Sequence, residues 1–359
     1  MALTTVRPQG MGFNTGRRNL VINGAMRLSQ RGTSAVTVSD GSNEGYTTVD
    51  RYYLNFNASI GGAIAVSQST DTPSGFANSI KLDCTTANTS ISGTQMIDLQ
   101  HRFEAQDLQQ LGFGSSDAQS ITVSWYMKAV SFSDNISVTL NTRDGTKEFF
   151  AKSFTPTTSW ARYTMTVPGS TSATIDNNNG EGLRLSWVVA GSSSGTHAAS
   201  SDSTAFSTTR ADYRNDIGNL TASTDNELYI TGVQLELGEN ASDFEHRSFG
   251  EELALCQRYF AELPSFSGPG TGTTDSRGMG SHVVQMRAAP TLGTTGVLNI
   301  TDGYSYDRVQ SSASVALIAN SPDFSFFNMP NFSSITGGRI HFGPRDSSNT
   351  NRITLDAEL

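Results

Sequence analysis

The stretch Ser120–Val130, with the sequence SITVSWYMKAV, decides the fold class of this chain. Its side chains alternate between apolar and polar, which is the pattern of a β-strand that buries only one face. The apolar phase holds Ile121, Val123, Trp125 and Met127, and the polar phase holds Thr122, Ser124, Tyr126 and Lys128. Strands of this kind build antiparallel sheets that lie with one face against a core.

The same alternation recurs along much of the chain. Asn135–Asn141 and Leu183–Val189 each place apolar side chains on one phase and mainly polar side chains on the other. Turn sequences such as Asp144–Gly145 and Asn179–Gly180 separate these stretches. Ser and Thr supply about a quarter of the chain and charged residues only 16%, a composition that favours short strands and turns over long helices. We therefore predict an all-β fold in which residues 19–247 form a jelly-roll β-sandwich.

One segment after the sandwich has helical periodicity. Ser248 and Glu251 have the spacing of a capping box, which marks the start of a helix. An apolar stripe follows, made of Leu253, Cys256, Tyr259 and Phe260. We predict a short connecting α-helix over residues 248–263. A helix this short needs a packing partner. The possible partners are the sandwich, the next domain, or the same helix in another chain. The third partner would make the stripe an oligomer interface.

The other segments have weaker patterns. Residues 1–18 are polar and Gly-rich and predict an extended attachment arm. The polar stretch Ala190–Thr224 predicts a long functional or mobile loop. Residues 264–280 are rich in Gly, Pro, Ser and Thr and predict a linker or a long loop, and residues 281–359 predict a small C-terminal β domain. Because that domain has few apolar runs, we expect it to be stabilised by docking or by association into a homotrimer.

The charge balance narrows the range of partners. The formal net charge of -9 disfavours nucleic acid and anionic membrane surfaces, whose phosphates attract a basic face. No apolar segment approaches the length of a membrane span, so we expect no insertion into a membrane.

Three motifs carry a resemblance to a known family. The first is Asn19–Gly32 (NLVINGAMRLSQRG) and the second is Val49–Tyr52 (VDRY). The third runs from Tyr229–Gly238 (YITGVQLELG) to Phe244–Phe260 (FEHRSFGEELALCQRYF). Together they resemble the fibre-like virion proteins of bacteriophages, and Met1–Gly16 is similar to the start of marine-phage fibre proteins. The resemblance implies a place on the surface of the virion, a jelly roll similar to carbohydrate-binding modules, trimers, and an N-terminal arm bound to other virion proteins.

A metal site is not expected in this jelly roll. Domains of the resembled kind often hold a structural calcium, with an acidic residue shortly after the opening Asn-Gly and an Asp in the last strand. Here Ala25 and Thr231–Gly232 occupy those places, whereas calcium needs several oxygen ligands. We therefore predict no metal ion, and nothing in the sequence indicates a cofactor.

Catalytic residues are not predicted either. The five histidines are scattered, with no pair at metal-ligand spacing. Asp40–Glu44 and Asp212–Asp216 are carboxylate clusters, but glycoside hydrolysis needs two carboxyl groups that face one bond. We interpret both clusters as solvated loop acids and expect no enzymatic activity.

Glycan binding depends on aromatic rings and planar polar side chains at an accessible surface. Trp125 and Trp187 share the phase of Ile, Val and Leu residues, so we expect them in the core. The opposite phase holds the candidate glycan-binding residues Tyr126, Lys128, Asn141 and Arg184. Trp160 is in phase with polar residues and is the best single candidate for an exposed aromatic side chain. The alternative is that loops of the other sheet or a neighbouring subunit cover this face.

Three functions are compatible with these patterns. The favoured one is a tail or head fibre protein of a phage virion that contributes to recognition of host-surface glycans and to adsorption. The second is a purely structural virion component, such as a capsid fibre or tail adaptor, that binds only other virion proteins. The third, which we expect least, is a glycan depolymerase. An open groove on the polar face would favour the first function, and a subunit interface there would favour the second.

Overall fold

The computed structural model of the protein describes residues 17–57, 60–303, 307–343 and 351–359. The described part is built almost entirely from β-strands, which confirms the predicted all-β fold. The predicted attachment arm, residues 1–18, lies outside the described residues except for Arg17 and Arg18.

Two six-stranded antiparallel sheets form the sandwich. In spatial order, the first sheet consists of β1 (Val36–Val38), β4 (Ala63–Ser69), β5 (Ser79–Thr86), β14 (Glu227–Leu237), β7 (Ile121–Val130) and β10 (Ala161–Val167). The second consists of β2 (Gly45–Tyr46), β3 (Tyr52–Asn57), β6 (Met96–Glu104), β11 (Glu181–Gly191), β8 (Ile136–Thr142) and β9 (Phe149–Phe154). The chain crosses repeatedly from one sheet to the other, which is the jelly-roll arrangement. Two short 3-10 helices, Ala105–Leu111 and Leu220–Ala222, lie in the connections.

The core lies between the two sheets. Trp125 on β7 and Trp187 on β11 are fully buried, with their ring centroids 6.2 Å apart and their planes at 78°. This edge-to-face geometry is favourable for aromatic pairs. The expectation that both tryptophans belong to the core is confirmed.

The opening segment 19–24 closes the sandwich by lying along the last strand, β14. The side chain of Asn19 donates a hydrogen bond to the carbonyl oxygen of Val233 (3.1 Å) and accepts one from the backbone N–H of Leu235 (3.1 Å). The carbonyl oxygen of Gly24 accepts a hydrogen bond from the N–H of Val233 (2.9 Å). A Cβ atom on Gly24 would lie 2.1 Å from the carbonyl oxygen of Val233, so the close approach requires glycine.

The connecting helix is shorter than the predicted residues 248–263. It is α1 (Phe249–Gln257), and the Ser248 hydroxyl accepts a hydrogen bond from the N–H of Glu251 (3.3 Å), as the capping box predicts. After Gln257 the chain leaves the helix and forms β15 (Phe260–Glu262). Pairing of this segment with a strand near the end of the chain satisfies its backbone hydrogen bonds in place of further helical turns.

The apolar stripe packs within its own chain. Cys256 and Tyr259 are buried against Ile22 and Leu28 of the opening segment, and Leu253 lies half-buried at the edge of this cluster. The ring of Phe260 is also buried, under the guanidinium of Arg31, whose central carbon lies 3.7 Å from the ring centroid. The prediction of an oligomer interface is therefore wrong for Cys256, Tyr259 and Phe260. The stripe did need a packing partner, and the opening segment of the same chain supplies it. Helical periodicity shows which face is apolar but not which segment packs on it.

Two further sheets follow the helix. In spatial order, the three-stranded sheet consists of β15, β24 (Ile353–Asp356) and β18 (Thr291–Thr294). The seven-stranded sheet consists of β20 (Asp307–Val309), β19 (Asn299–Thr301), β23 (Ile340–Gly343), β16 (Phe266–Pro269), β17 (Ser276–Ser281), β22 (Phe324–Met329) and β21 (Ala316–Asn320). A separate apolar cluster that includes Leu263, Phe327 and Leu355 forms their core.

The predicted linker at residues 264–280 is wrong, because this segment supplies β16 and most of β17. Four of its five glycines, all except Gly272, lie where an added Cβ atom would come within 3 Å of a neighbouring atom. A Cβ atom on Gly278 would lie 2.4 Å from the ring of Phe327, and one on Gly268 would lie 2.4 Å from the carbonyl oxygen of Arg277. A composition rich in glycine therefore indicated a linker where the chain forms a tightly packed sheet.

The Val49–Tyr52 motif fastens the end of the described chain to the sandwich. The side chain of Arg51 is only 1% exposed and forms an ion pair with Glu358, which is 6% exposed. Its guanidinium also lies 3.4 Å from the ring centroid of Tyr259 and donates a hydrogen bond to the carbonyl oxygen of Arg102 (2.7 Å). Although burial opposes it, the carboxylate of Glu358 raises the pKa of Arg51 above its usual value. A buried charge is tolerated only when it is paired, so these contacts fix how the segment docks.

We expect Glu358→Gln to lower the free energy of unfolding by about 3 kcal/mol, because the charge of Arg51 would remain buried without its carboxylate. Denaturation with urea, followed by tryptophan fluorescence, measures this change. Asp356→Asn is the matched control, since Asp356 pairs with Arg31 but is 44% exposed; it should cost less than about 1 kcal/mol. Equal effects of the two substitutions would contradict a special role for the buried pair.

Asp50, the neighbour of Arg51 in the motif, should make stability depend on pH. Burial raises the pKa of its carboxyl group from the ordinary 3.8 to about 6, against opposing hydrogen bonds from Gln30. The folded state therefore favours the protonated carboxyl group, and this contribution is present below pH 3.8 and lost as the pH rises through about 6. Between pH 4 and pH 7, we expect the wild type to lose about 2 kcal/mol of unfolding free energy relative to Asp50→Asn. Urea denaturation at several pH values tests this, and a pH-independent difference between the two proteins would refute it.

Candidate functional site

A groove with a volume of about 330 Å³ lies on the outer face of the second sheet. Its floor is made by side chains that point away from the core on neighbouring strands. The strand register places these side chains in three rows, which are Asn55–Asp98, Gln100–Ser186–Thr139 and Arg184–Asn141–Phe149. Most of these residues are polar, and the volume is in the range of small-ligand sites.

Two polar atoms in the floor have unused hydrogen-bonding capacity. The hydroxyl oxygen of Thr139 and the side-chain oxygen of Asn141 are buried and have no hydrogen-bond partner among the described residues. Both residues line the groove. Buried polar atoms are nearly always satisfied in folded proteins, so the floor is suited to a ligand that offers hydrogen-bond donors.

Asp98 lies beside them, held by two amide side chains. Its carboxylate oxygens accept hydrogen bonds from Asn55 (2.8 Å) and Gln100 (2.8 Å). Burial raises the pKa of Asp98 above its usual value, although these amides and the charge of Arg184 oppose the rise. The carboxylate therefore orients the amides that face the groove.

Three arginines gather around one carboxylate at the end of the groove. Glu181 accepts two hydrogen bonds from Arg184 (2.6 and 2.7 Å), lies 3.3 Å from Nε of Arg143 and lies 3.9 Å from Nε of Arg102. Burial alone would raise the pKa of Glu181, but the hydrogen bonds from Arg184 and the charges of all three arginines hold it below its usual value. Glu181 therefore stays ionised and fixes the arginine side chains.

The predicted long loop Ala190–Thr224 forms one wall of the groove. It is structured by a short parallel pair of strands, β12 (Ala198–Ala199) and β13 (Tyr213–Arg214). Arg210 and Asp212 of the loop line the groove, with Nε of Arg210 donating a hydrogen bond to the Asp212 carboxylate (2.8 Å).

The structure separates the five predicted glycan-binding residues into two groups. Asn141 and Arg184 line the groove, and their strands place them side by side. Tyr126 and Lys128 belong to the first sheet, whose outer face is on the opposite side of the sandwich, and Trp160 directly precedes its strand β10. Alternation along a strand shows which side chains face the core and which face outward, but it does not show which of the two sheets the strand belongs to. The five residues therefore do not form one surface.

The three residues of the first sheet are engaged with a neighbouring loop. The indole N–H of Trp160 donates a hydrogen bond to Asp71 (2.9 Å), and Lys128 forms an ion pair with the same carboxylate. The ring of Tyr126 packs on Phe76, with centroids 5.3 Å apart. Trp160 is half-buried rather than freely exposed. The loop that carries Asp71 and Phe76 joins β4 and β5 of the same sheet, so at these positions the cover does not come from loops of the other sheet.

The sequence interpretation missed most of the groove floor, including Asn55, Asp98, Gln100 and Ser186. The signal was present in Met96–Glu104, where polar Asp98 and Gln100 alternate with apolar residues. Pairing of this strand with β3 and β11 brings these side chains together, and pairing is a property of the fold.

The two carboxylate clusters are each engaged with local partners. Glu44 accepts a hydrogen bond from the N–H of Gly41 (2.7 Å) and so closes its own turn. Asp216 accepts hydrogen bonds from Asn135 (3.2 Å) and Ser153 (2.5 Å).

Across the described ranges, no three His, Cys, Asp or Glu side chains converge as a metal site, and no helix is both long and apolar enough to cross a bilayer.

The two sheets and their connections define a jelly-roll β-sandwich with a polar groove on one outer face. No protein-family model matches the chain, and no curated protein matches it in sequence. A solved structure described as a CBM4 module is similar, with a TM-score of 0.32 and 13% identity over 61% of this chain and 99% of that chain. A family 11 carbohydrate-binding module of Clostridium thermocellum has a TM-score of 0.30 and 12% identity over 60% of this chain and 99% of that chain.

A phage protein is also among the similar structures. It is the enzymatically active domain of tailspike protein 4 from bacteriophage CBA120, with a TM-score of 0.30 and 10% identity over 56% of this chain and 21% of that chain. At such identities and TM-scores, these matches do not identify what this chain binds.

Proposed function

We propose that the groove on the second sheet binds a glycan. The observation that carries this proposal is the pair of buried, unpartnered polar atoms on Thr139 and Asn141 in the groove floor. Leaving such atoms unsatisfied costs about 1–3 kcal/mol each. Turning the Thr139 hydroxyl and the Asn141 amide toward the groove would let sugar hydroxyl groups donate to both, and the amides of Asn55 and Gln100 beside them suit the same ligand.

Binding without hydrolysis is the activity that fits the acids in this groove. Asp98 is buried and accepts hydrogen bonds from two amides, and Asp212 is held by Arg210. Glycoside hydrolysis requires one carboxyl group to protonate the leaving oxygen and another to attack or activate water. Acids whose oxygens are already engaged in orienting neighbours are better suited to shaping a binding site.

We further propose that the protein is an appendage of a phage virion, as a tail or head fibre that contributes to adsorption on host-surface glycans. The resemblance of the three sequence motifs supports this place in the particle, with residues 1–18 attaching the chain to other virion proteins. A purely structural virion component is the second candidate, and the apolar surface of the C-terminal sheets favours it.

That apolar surface also supports a homotrimer. Eight of the ten large hydrophobic residues that are exposed in the described part of the chain lie between residues 279 and 342. They are Met279, Val283, Val309, Leu317, Ile318, Phe324, Ile340 and Phe342. Several share the outer face of the seven-stranded sheet, where the register places Phe342, Ser267 and Met279 in one row. A clustered apolar surface is unusual on a monomer, and we propose that two further copies of the chain cover it.

Substitution on the two outer faces tests which of them binds glycan. On a glycan array and in subsequent calorimetry, we expect Asn141→Ala to weaken binding about tenfold, because it removes hydrogen bonds in the groove floor. Trp160→Ala, on the opposite face, should leave the affinity unchanged. Binding lost in Trp160→Ala but kept in Asn141→Ala would assign the site to the first sheet. A wild-type protein that binds nothing on the array would overturn the proposed function.

Sedimentation equilibrium tests the homotrimer. We expect the wild type to sediment at three times the mass of one chain, and Met279→Glu combined with Phe342→Glu to sediment as a monomer, because charges would be buried in an apolar contact. Phe249→Glu is the control, since Phe249 is 53% exposed but lies on α1; this variant should remain trimeric. A monomeric wild type would refute the proposal.

A further inference from the structure

The groove is cationic although the chain is acidic. The whole chain has a formal net charge of -9. The groove is lined by four basic residues, Arg143, Lys147, Arg184 and Arg210, and by two acidic residues, Asp98 and Asp212, which gives 4 − 2 = +2. A local surplus of this sign on an acidic protein focuses the field on one place and attracts anions there.

The arginine cluster explains why neighbouring carboxylates do not neutralise the positive charge of the groove. Arg102, Arg143 and Arg184 share the carboxylate of Glu181, which cannot neutralise all three charges; of the three, Arg184 also lies in the field of Asp98. Burial and the charge of Arg184 together lower the pKa of Arg143, although the carboxylate of Glu181 opposes this. An anionic group beside Arg143 would relieve this repulsion.

Lys147 adds a charge at the rim. It follows the Asp144–Gly145 turn between β8 and β9, is exposed, and lines the groove. Across residues 17–57, 60–303, 307–343 and 351–359, no carboxylate lies within ion-pair distance of its ammonium group. Its charge is therefore available to a ligand that enters the groove.

We propose that the ligand is an acidic glycan, and that its carboxylate or sulfate group binds between Arg143 and Lys147. This inference rests on the proposed glycan binding and specifies the class of sugar. A guanidinium offers paired N–H donors that match the oxygens of a carboxylate or sulfate, and the ammonium adds a point charge. The neutral part of the glycan then lies over Thr139, Asn141 and Gln100, whose side chains suit hydroxyl groups.

Matched pairs of glycans that differ only in charge test this proposal. The probes are an oligogalacturonate hexamer and its methyl ester, and a sulfated galactan hexamer and its desulfated form. By calorimetry in about 50 mM salt, we expect at least one charged probe to bind about tenfold tighter than its neutral partner. This advantage should shrink at about 500 mM salt, because added ions screen the rim charges. Comparison of the two pairs shows whether carboxylate or sulfate is preferred.

Variants locate the anion. We expect Lys147→Gln to weaken binding of the charged probe about two- to fivefold and to leave the neutral probe unaffected, because Lys147 is exposed and its loss removes one rim charge. Adding Arg143→Gln should remove most of the remaining preference. Lys152→Gln is the matched control, since it removes the same charge from β9 but does not line the groove.

The outcomes separate the two proposals. Equal affinities for charged and neutral probes would overturn the acidic-glycan inference and leave glycan binding intact. A charge preference that survives in the double variant would refute the assignment to Arg143 and Lys147. If neither member of either pair binds and the array is also blank, glycan binding itself fails.

Discussion

The buried guanidinium of Arg51 is the interaction on which the arrangement of the chain depends. It lies under Tyr259, bonds to the carbonyl oxygen of Arg102, and pairs with Glu358, so it joins the sandwich, the end of the helical segment and the C-terminal strands. Its backbone adopts a left-handed conformation with φ of 73°, which costs about 1–2 kcal/mol for a residue with a side chain. A buried charge without a partner would cost more, and this explains why the strained geometry is kept.

Around this contact, two kinds of surface are kept apart. The sandwich turns a polar, cationic groove outward from its second sheet, and the C-terminal sheets turn apolar side chains outward. The first surface suits a hydrated ligand with hydroxyl and anionic groups, and the second suits another protein surface. If the chain is a virion appendage, as proposed, recognition and assembly would use different parts of it, which the contacts of Arg51 connect.

The groove also shows how the outer face of a jelly roll gathers polar side chains from distant segments. Each strand of the second sheet contributes side chains of alternating direction, so one row of the floor comes from three strands that are distant in the sequence. Carboxylates within the site position amides and arginines instead of facing a common point. Glu181 fixes three arginines, and Asp98 fixes two amides. The hydrogen bonds between the strands thus hold the side chains of the groove in fixed positions.

The sequence by itself determined the fold class and the inward phase of the strands, because alternation in Ser120–Val130 depends only on local geometry. It also determined the start of α1 at Ser248, since a cap is made by residues three apart. Only the tertiary structure decided that Asn141 joins a groove whereas Trp160 lies on the opposite face, because strand pairing is set by contacts between distant segments. The partner of the apolar stripe and the β-structure of residues 264–280 were likewise decided by packing against distant residues, which no local pattern records.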